Sequence, residues 1–412
     1  MNTSIPENYC RYALVLLLSV NFLNYIDRQV LYAVFPLIKA DLQLSDTDLG
    51  FLGSAFMICY MISAPLFGWL GDRLIRVKLA SCGLVLWSLA TVLAGFAPGY
   101  RSLLFARSMV GIGEASFGTV SPGIISDYFS RQRRSQVLSC FYLAIPVGSA
   151  FGYLLGGILG QNFGWHVAFL MVGVPGLILA FPVWFLREPP RGGDEIRLEK
   201  YVGQGERDYI SLVSNRSFIT NTLTMSAMTF ALGGLAQWVP TFLYRMQGLD
   251  VATGNTLFGI ITAIAGITGT LFGGWFGDRL QQKSRKGYLL VSGWGFLLGA
   301  PITIYALLTP SVIGCLTAMF FAEFFLFLNM GPLNSVIVNV TPPSIRAMAF
   351  AVNIFCIHTL GDAISPAIIG WFSDLWGLRN ALLVTPFFIF VAAFFSFRCT
   401  RFIEGDSVEV ER

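Results

Sequence analysis

Charged residues inside long apolar stretches are the first feature of this sequence that could do chemistry. Asp27 and Arg28 fall in one such stretch, Arg107 and Glu114 in another, and Glu323 in a third. A charge at the centre of a bilayer-spanning helix costs roughly 2.5–3.5 kcal/mol on insertion scales, so each residue is read first as functional. Arg107 and Glu114 are about two turns apart and share one helix face. The helical rise separates them by about 10.5 Å along the axis, too far for a tight direct pair. Asp27 and Arg28 are the natural partners, which predicts a network of Asp27, Arg28, Arg107 and Glu114. Burial favours the neutral form of a carboxyl, and a nearby guanidinium favours the charged form. Moving an arginine in such a network would change how readily an acid holds a proton.

Other polar residues are candidates of a second rank. His358 and Asp362 lie i,i+4 and share a face, and an imidazole titrates near physiological pH. Asn329, Asn334 and Asn339 follow Glu323 in the same apolar run. Each candidate also has a structural reading. Asp27 and Arg107 would then bridge two helices, Glu323 would bond backbone or an amide such as Asn329, His358 would be a satisfied core imidazole, and the asparagines would be interhelical glue. The cysteines, Cys10, Cys59, Cys82, Cys140, Cys315, Cys356 and Cys399, show neither C-x-x-C nor Cys/His ligand spacing. Neither a disulfide framework nor a metal site is expected. Gly111-x-Gly113 lacks the preceding strand of a nucleotide fold, and there is no Gly-Lys-Ser/Thr phosphate loop, so ATP and other cofactors are not expected.

The elements that carry these residues are membrane helices. Hydrophobic residues make up 55% of the chain and charged residues 12%, against roughly 25% charged in soluble domains. Mean hydropathy is +0.67. Apolar windows near the ~20 residues that cross a bilayer predict spans at 12–38, 48–71, 79–97, 101–127, 135–160 and 165–186. A second set falls at 216–245, 254–277, 287–308, 311–339, 347–372 and 378–400. The expectation is an all-α membrane protein of about twelve transmembrane helices, with an N-terminal bundle over 1–186 and a C-terminal bundle over 216–412. A cytoplasmic linker with a short surface helix would occupy 187–215. The first run is too long for a signal peptide and contains Asp27 and Arg28. A net charge of +4 spread over short loops argues against nucleic acid as a partner.

The halves repeat. Gly68-Trp69-Leu70-Gly71-Asp72-Arg73-Leu74 follows the second span, and Gly274-Trp275-Phe276-Gly277-Asp278-Arg279-Leu280 follows the eighth. Both enter the same side, so the repeat is parallel, as in the two halves of major facilitator transporters. Lys and Arg concentrate on that side, in Arg73, Arg76 and Lys78, in Arg131, Arg133 and Arg134, and in Arg279, Lys283, Arg285 and Lys286. The other side keeps Lys39, Arg101, Arg245 and Arg379. Both termini are therefore expected in the cytoplasm. The G-x-x-G-D-R element resembles the loop 2–3 signature of the major facilitator superfamily. Its aspartate suits the positive end of a neighbouring helix, while Arg73 and Arg76 are expected to meet acids such as Asp127. Gly68, Asp72, Arg73, Arg76, Asp127, Asp278 and Arg279 would together latch the cytoplasmic side. Ile75 and Val77 depart from the signature, which has glycine and a basic residue there. Gly148, Gly152, Gly156 and Gly157, after Pro146, are expected to let two helices pack closely.

Several motifs resemble the Spinster family. Asn24-Tyr25-Ile26-Asp27-Arg28 is similar to its N-Y-x-D-R opening, and Arg107 through Gly111-Ile112-Gly113-Glu114-Ala115-Ser116 to its R-x-x-x-G-x-G-E-A-S run. Phe141-Tyr142, Ala144–Ser149 and Arg187-Glu188-Pro189-Pro190-Arg191-Gly192 continue the likeness. So do His358-Thr359-Leu360-Gly361-Asp362 and Ser365-Pro366. The resemblance implies two pseudo-symmetric six-helix bundles and a small lipid-like amphiphile as substrate, of lysophospholipid or sphingosine-phosphate type. It also implies Asp27 and Glu114 as proton-coupling acids, with Arg28 and Arg107 as charge partners or contacts for the substrate anion. Protons and membrane lipids would be the other partners, and the chain would act as a monomer. Short termini and compact loops suggest a bacterial member in the inner membrane.

A proton-coupled transporter of an amphiphilic anion is the leading expectation, with a broad-specificity multidrug or organic-anion exporter next. A membrane-embedded lipid-modifying enzyme fits poorly. Acyltransferase His and Asp are separated by four residues, whereas His358 and Asp362 are separated by three. The sequence contains no filter-like element of a channel.

Overall fold

The structure, a computed structural model, describes residues 5–191, 212, 214–342 and 345–406, and its regular elements are all helical. Most of the expected 187–215 linker, including its surface helix, lies outside the described residues. In chain order the helices are α1 Glu7–Ala33, α2 Phe35–Leu42, α3 Asp46–Arg73, α4 Arg76–Ala94, α5 Tyr100–Tyr128 and α6 Arg131–Tyr142. Then come α7 Ala144–Phe163, α8 Trp165–Trp184, α9 Arg216–Gln247, α10 Val251–Gln281, α11 Gly287–Leu308 and α12 Val312–Phe327. The chain ends with α13 Met330–Val340, α14 Arg346–Ile357, a π-turn at His358–Asp362, α15 Ser365–Trp376, α16 Leu378–Leu382 and α17 Val384–Cys399.

Among the described residues, 10 helices, counting those joined across short breaks, are long and apolar enough to cross a membrane. The remaining spans, α5 and α9, are long but more polar. One buries Arg107 and Glu114, and the other buries Asn221, Thr222, Thr224, Ser226 and Gln237.

The expected windows hold, but five of them are broken. The first divides between α1 and α2, the fifth between α6 and α7, the tenth between α12 and α13, the eleventh at the π-turn, and the twelfth between α16 and α17. Each break is followed within one turn by a proline: Pro36, Pro146, Pro332, Pro366 or Pro386. A proline in the first turn of a new segment forfeits only an N–H that had no intrahelical acceptor there.

The chain divides into two compact units, Met1–Glu199 with Leu249–Gly259, and Lys200–Gly248 with Ile260–Arg412. The second assignment departs from the expected boundary because the first turns of α10 group with the first unit. There Asn255 donates to the Ala33 carbonyl at 3.1 Å.

Within each unit the same pairs of spans pack together. In the first, α1 lies against α7 and α8, and α4 against α5 and α8; in the second, α9 lies against the π-turn and α17, and α11 against α12 and α17. The corner between the last two spans also repeats. Gly164 has φ 86 and ψ 157, and Gly377 has φ 80 and ψ 151. Positive φ at both corners favours glycine.

Close approach on α7 uses the expected glycines and one more. A Cβ on Gly148 would meet Tyr25 Cβ at 2.8 Å, on Gly152 Gln29 Cβ at 2.7 Å, and on Gly156 Ala33 Cβ at 2.7 Å. Gly160 continues the stripe against Val34, while Gly157 faces Asn255 instead. These contacts bring α1 close enough for its polar residues to face the rest of the first unit.

Candidate functional site

Four spans of the first unit build the site. Asp27 and Arg28 are adjacent on α1 and point about 100° apart, so they serve different partners. Arg28 Nε donates to Glu114 Oε2 at 2.7 Å. Arg107 Nη1 stands 3.7 Å from Asp27 Oδ1, an ion pair without a hydrogen bond. The other oxygen of Asp27 accepts from Thr91 Oγ1 of α4 at 2.5 Å. The structure thus brings the four expected charges together, in crossed pairs of unequal closeness.

Burial sharpens the inequality. Arg107 and Glu114 are 0% exposed and Asp27 2%, whereas the Arg28 side chain keeps 18% of its surface accessible. No guanidinium nitrogen of Arg107 makes a hydrogen bond. Its compensation is the distant Asp27 and the ring of Phe56, whose centre lies 5.1 Å from its Cζ. The same ring lies 5.1 Å from Arg28 Cζ, so Phe56 is flanked by both cations. Tyr25 and Tyr60 complete an aromatic collar around Arg28 at 5.0 and 5.3 Å. Desolvating an ion costs several kcal/mol unless hydrogen bonds and countercharge offset it. Arg107 has little of either, and an anion presenting oxygens to it would supply both.

Of the second-rank candidates in the second unit, only His358 and Asp362 are paired with each other among the described residues. Glu323 of α12 accepts from Thr262 of α10 at 3.2 Å, and its other oxygen is buried without a hydrogen bond. Asn329 and Asn334 donate to carbonyls of their own helix turns, Phe325 at 2.6 Å and Met330 at 2.7 Å. His358 Nδ1 and Asp362 Oδ1 are 2.9 Å apart across the π-turn. Gly361 makes that turn fit, since a Cβ there would meet Thr229 Cβ at 2.9 Å.

On the Lys/Arg-rich side, Arg76 holds Asp127 at 2.6 Å and Glu188 at 2.7 Å. Glu188 also accepts from the Val77 amide at 3.0 Å, placing a carboxylate on the positive end of α4. Asp72, expected at the positive end of a neighbouring helix, has an exposed side chain. Among the described residues Arg73 pairs with no acid; it reaches back one turn to the Trp69 carbonyl at 3.2 Å, with its Cζ 4.1 Å from the Trp69 ring centre. Arg279 repeats this over Trp275 at 5.3 Å, and Asp278 accepts from Tyr288 at 2.7 Å. Gly68 faces Thr119 at an ordinary distance. Arg191 caps the end of α3, donating to the carbonyls of Gly71, Asp72 and Leu74.

Residues 17–366 match the Major Facilitator Superfamily. The sphingosine-1-phosphate transporter SPNS2 of Mus musculus is 33% identical over 425 residues, covering 95% of this chain and 77% of that protein. Protein spinster homolog 1 of Homo sapiens is 35% identical over 378 residues, covering 86% of this chain and 71% of that protein. This chain belongs to the Spinster family of the major facilitator superfamily. It is an integral membrane transporter, not an enzyme. A solved structure shares the Spinster fold, with a TM-score of 0.87 and 23% identity over 97% of this chain and 99% of that one. It is that of a bacterial homolog to the human lysosomal transporter Spinster, in an inward-facing and occupied conformation.

In this Spinster chain, the site residues that sequence reasoning missed are Phe56, Tyr60, Thr91, Glu188 and Arg191. An aromatic or a hydroxyl in an apolar span costs little and so carries no signal. Glu188 and Arg191 belong to a motif quoted only for its likeness.

Proposed function

We propose that the protein moves a lipid-like amphiphilic anion, of lysophospholipid or sphingosine-phosphate type, by alternating access coupled to protons. Arg107 carries the reading: a fully buried guanidinium with no hydrogen bond, beside one acid, Asp27, and two turns from another, Glu114. A phosphate headgroup would bind Arg107 and the accessible Arg28, drawing both away from their carboxylates. An acid that loses its guanidinium partner in a site shielded from water takes up a proton more readily. Substrate and proton are thereby linked through shared partners.

Similarity to the sphingosine-1-phosphate transporter SPNS2 supports the substrate class, and the aromatic collar around Arg28 suits an amphiphile's body. Glu323, His358 and Asp362 are the next candidates for proton handling. Gly68, Asp72, Arg73, Arg76, Asp127, Asp278 and Arg279 are the candidates for the cytoplasmic gate, with Glu188 added through its bond to Arg76. On this reading the chain resides in a bacterial inner membrane with both termini in the cytoplasm.

The test is transport by purified protein in liposomes containing a pH-sensitive dye, across a panel of lysophospholipids and sphingosine phosphate. Substrate-stimulated proton movement is expected. Substrate flux that is indifferent to a proton gradient would remove the coupling. Equal flux of unrelated organic anions and drugs would favour a broad-specificity exporter.

A further inference from the structure

A second basic site lies in the second unit, at one end of the α9–α17 pair. These helices pack together and run in opposite directions, so the start of α9 and the end of α17 share one membrane face. Cys399 Sγ lies 3.4 Å from the Ser217 carbonyl there. Beside this contact is a shallow pocket of about 400 Å³ lined by Arg216, Ile219, Thr220, Arg398 and Phe402.

Arg216 and Arg398 both flank the Phe402 ring, each with Cζ 5.7 Å from its centre. Both are exposed, and no ion pair among the described residues includes either. The nearby carboxylates are engaged elsewhere. Glu404 pairs with Lys286 at 3.2 Å, and Asp406 accepts from the Ser217 amide at 2.8 Å. Two like charges are thus held at one ring, and among the described residues no carboxylate is paired with either. Thr220 spends its hydroxyl proton on the Arg216 carbonyl at 2.7 Å, which leaves the guanidiniums as the donors facing the pocket.

Apolar surface runs up to these cations from the bilayer side. Ile219 is 37% exposed one turn beyond Arg216, and Phe394 is 62% exposed one turn before Arg398 on the same face. A free phosphate would use the arginines and ignore this surface. A phospholipid would use both, its phosphate oxygens bridging two planar forks and its chains lying on Ile219 and Phe394. The pocket is also on the Lys/Arg-rich side of the chain, where anionic headgroups are drawn to basic residues. We infer that this pocket seats the phosphate of an anionic membrane phospholipid, a resident of the leaflet and not the transported cargo.

Native mass spectrometry of the purified full chain, after exchange into micelles doped with dioleoylphosphatidylglycerol or dioleoylphosphatidylcholine, tests this. The wild type should retain the anionic lipid, and the R216Q/R398Q double variant should bind it at least about tenfold more weakly. K283Q/R401Q removes the same charge outside the pocket and should bind like the wild type. F402L, which keeps both charges, should bind at an intermediate level and keeps the test open if the double variant fails to fold. Inorganic phosphate at matching concentration should not displace the lipid. Equal loss in both double variants would reduce the effect to net charge and overturn the site. Displacement by inorganic phosphate, or equal retention of phosphatidylcholine, would overturn the lipid assignment.

Discussion

Arg28 closes on Glu114 at 2.7 Å, while the Arg107–Asp27 pair of the same site stays open at 3.7 Å. One acid is held by a hydrogen-bonded guanidinium, and the other leans on a threonine hydroxyl. The two carboxylates are therefore poised differently, and removing each should be felt differently.

Asp27→Asn and Glu114→Gln should both reach the membrane folded, since each keeps the side chain's shape. Both should lose proton-driven uptake in liposomes, and surviving exchange should lose its pH dependence. Glu114→Gln should also free Arg28, which then competes for substrate phosphate. If both variants keep the normal rate and pH profile, the acids are structural.

Arg107→Lys separates charge from shape. Lysine keeps the cation but lacks the planar fork and flat face that lie beside Phe56. Half-saturation for a phosphate-bearing substrate should rise about tenfold, equivalent to about 1.4 kcal/mol. Phe56→Leu should produce part of that effect, measured in the same uptake assay. An unchanged half-saturation in both variants would remove the cation–ring arrangement from substrate recognition.

Gly111→Ala should disturb the site from behind. A Cβ there would fall 2.2 Å from the Phe56 carbonyl oxygen, so α3 and α5 would have to part. Overpacking of this kind costs about 1–3 kcal/mol. A lowered midpoint of thermal unfolding in detergent, with a weaker response to substrate, is expected. Full stability would show that the helices yield there without strain.

At the Lys/Arg-rich end, Arg76→Ala breaks charge-assisted bonds to two acids and should destabilise by about 1.5–3 kcal/mol. Arg73→Ala removes only an exposed contact with its own helix and should leave thermal stability near that of the wild type. Asp72→Asn is exposed within its unit, so its effect should appear in gating and not in stability. Spin-label distances between the loops of the Lys/Arg-rich side should broaden toward the open state. An unchanged distribution would confine Asp72 to topology.

Much of this was legible because charge in an apolar helix is expensive and therefore conspicuous. Asp27, Arg28, Arg107 and Glu114 announce themselves, and one helix face for Arg107 and Glu114 follows from their spacing. The repeated Gly-Trp-x-Gly-Asp-Arg-Leu segments reveal the halves in the same way. Pairing at the gate was harder to read. An arginine within reach of both an acid and a tryptophan one turn away has two comparable options, and Arg73 takes the ring. The helix breaks were not legible, because proline follows breaks at Pro36 and Pro332 yet sits inside unbroken helices at Pro65, Pro122 and Pro301. Tertiary contacts, invisible in one sequence, decide between them.

The turn at His358–Asp362 holds one residue more than an α-helical turn would, closing through the Ala363 amide to the His358 carbonyl at 3.0 Å. The π-turn absorbs that extra residue locally, so α15 keeps the phase it would have without it. Deleting Thr359 should close the turn to an ordinary α-helical one and leave α15 near its present phase, whereas inserting one alanine after Ser365 should advance the rest of α15 by about 100° like a screw turned one notch. Ile369, now wholly buried, would then turn toward lipid, and the half-exposed Trp371 would turn inward. The insertion should therefore abolish monodisperse protein in size-exclusion chromatography, while deletion of Thr359 is tolerated far better.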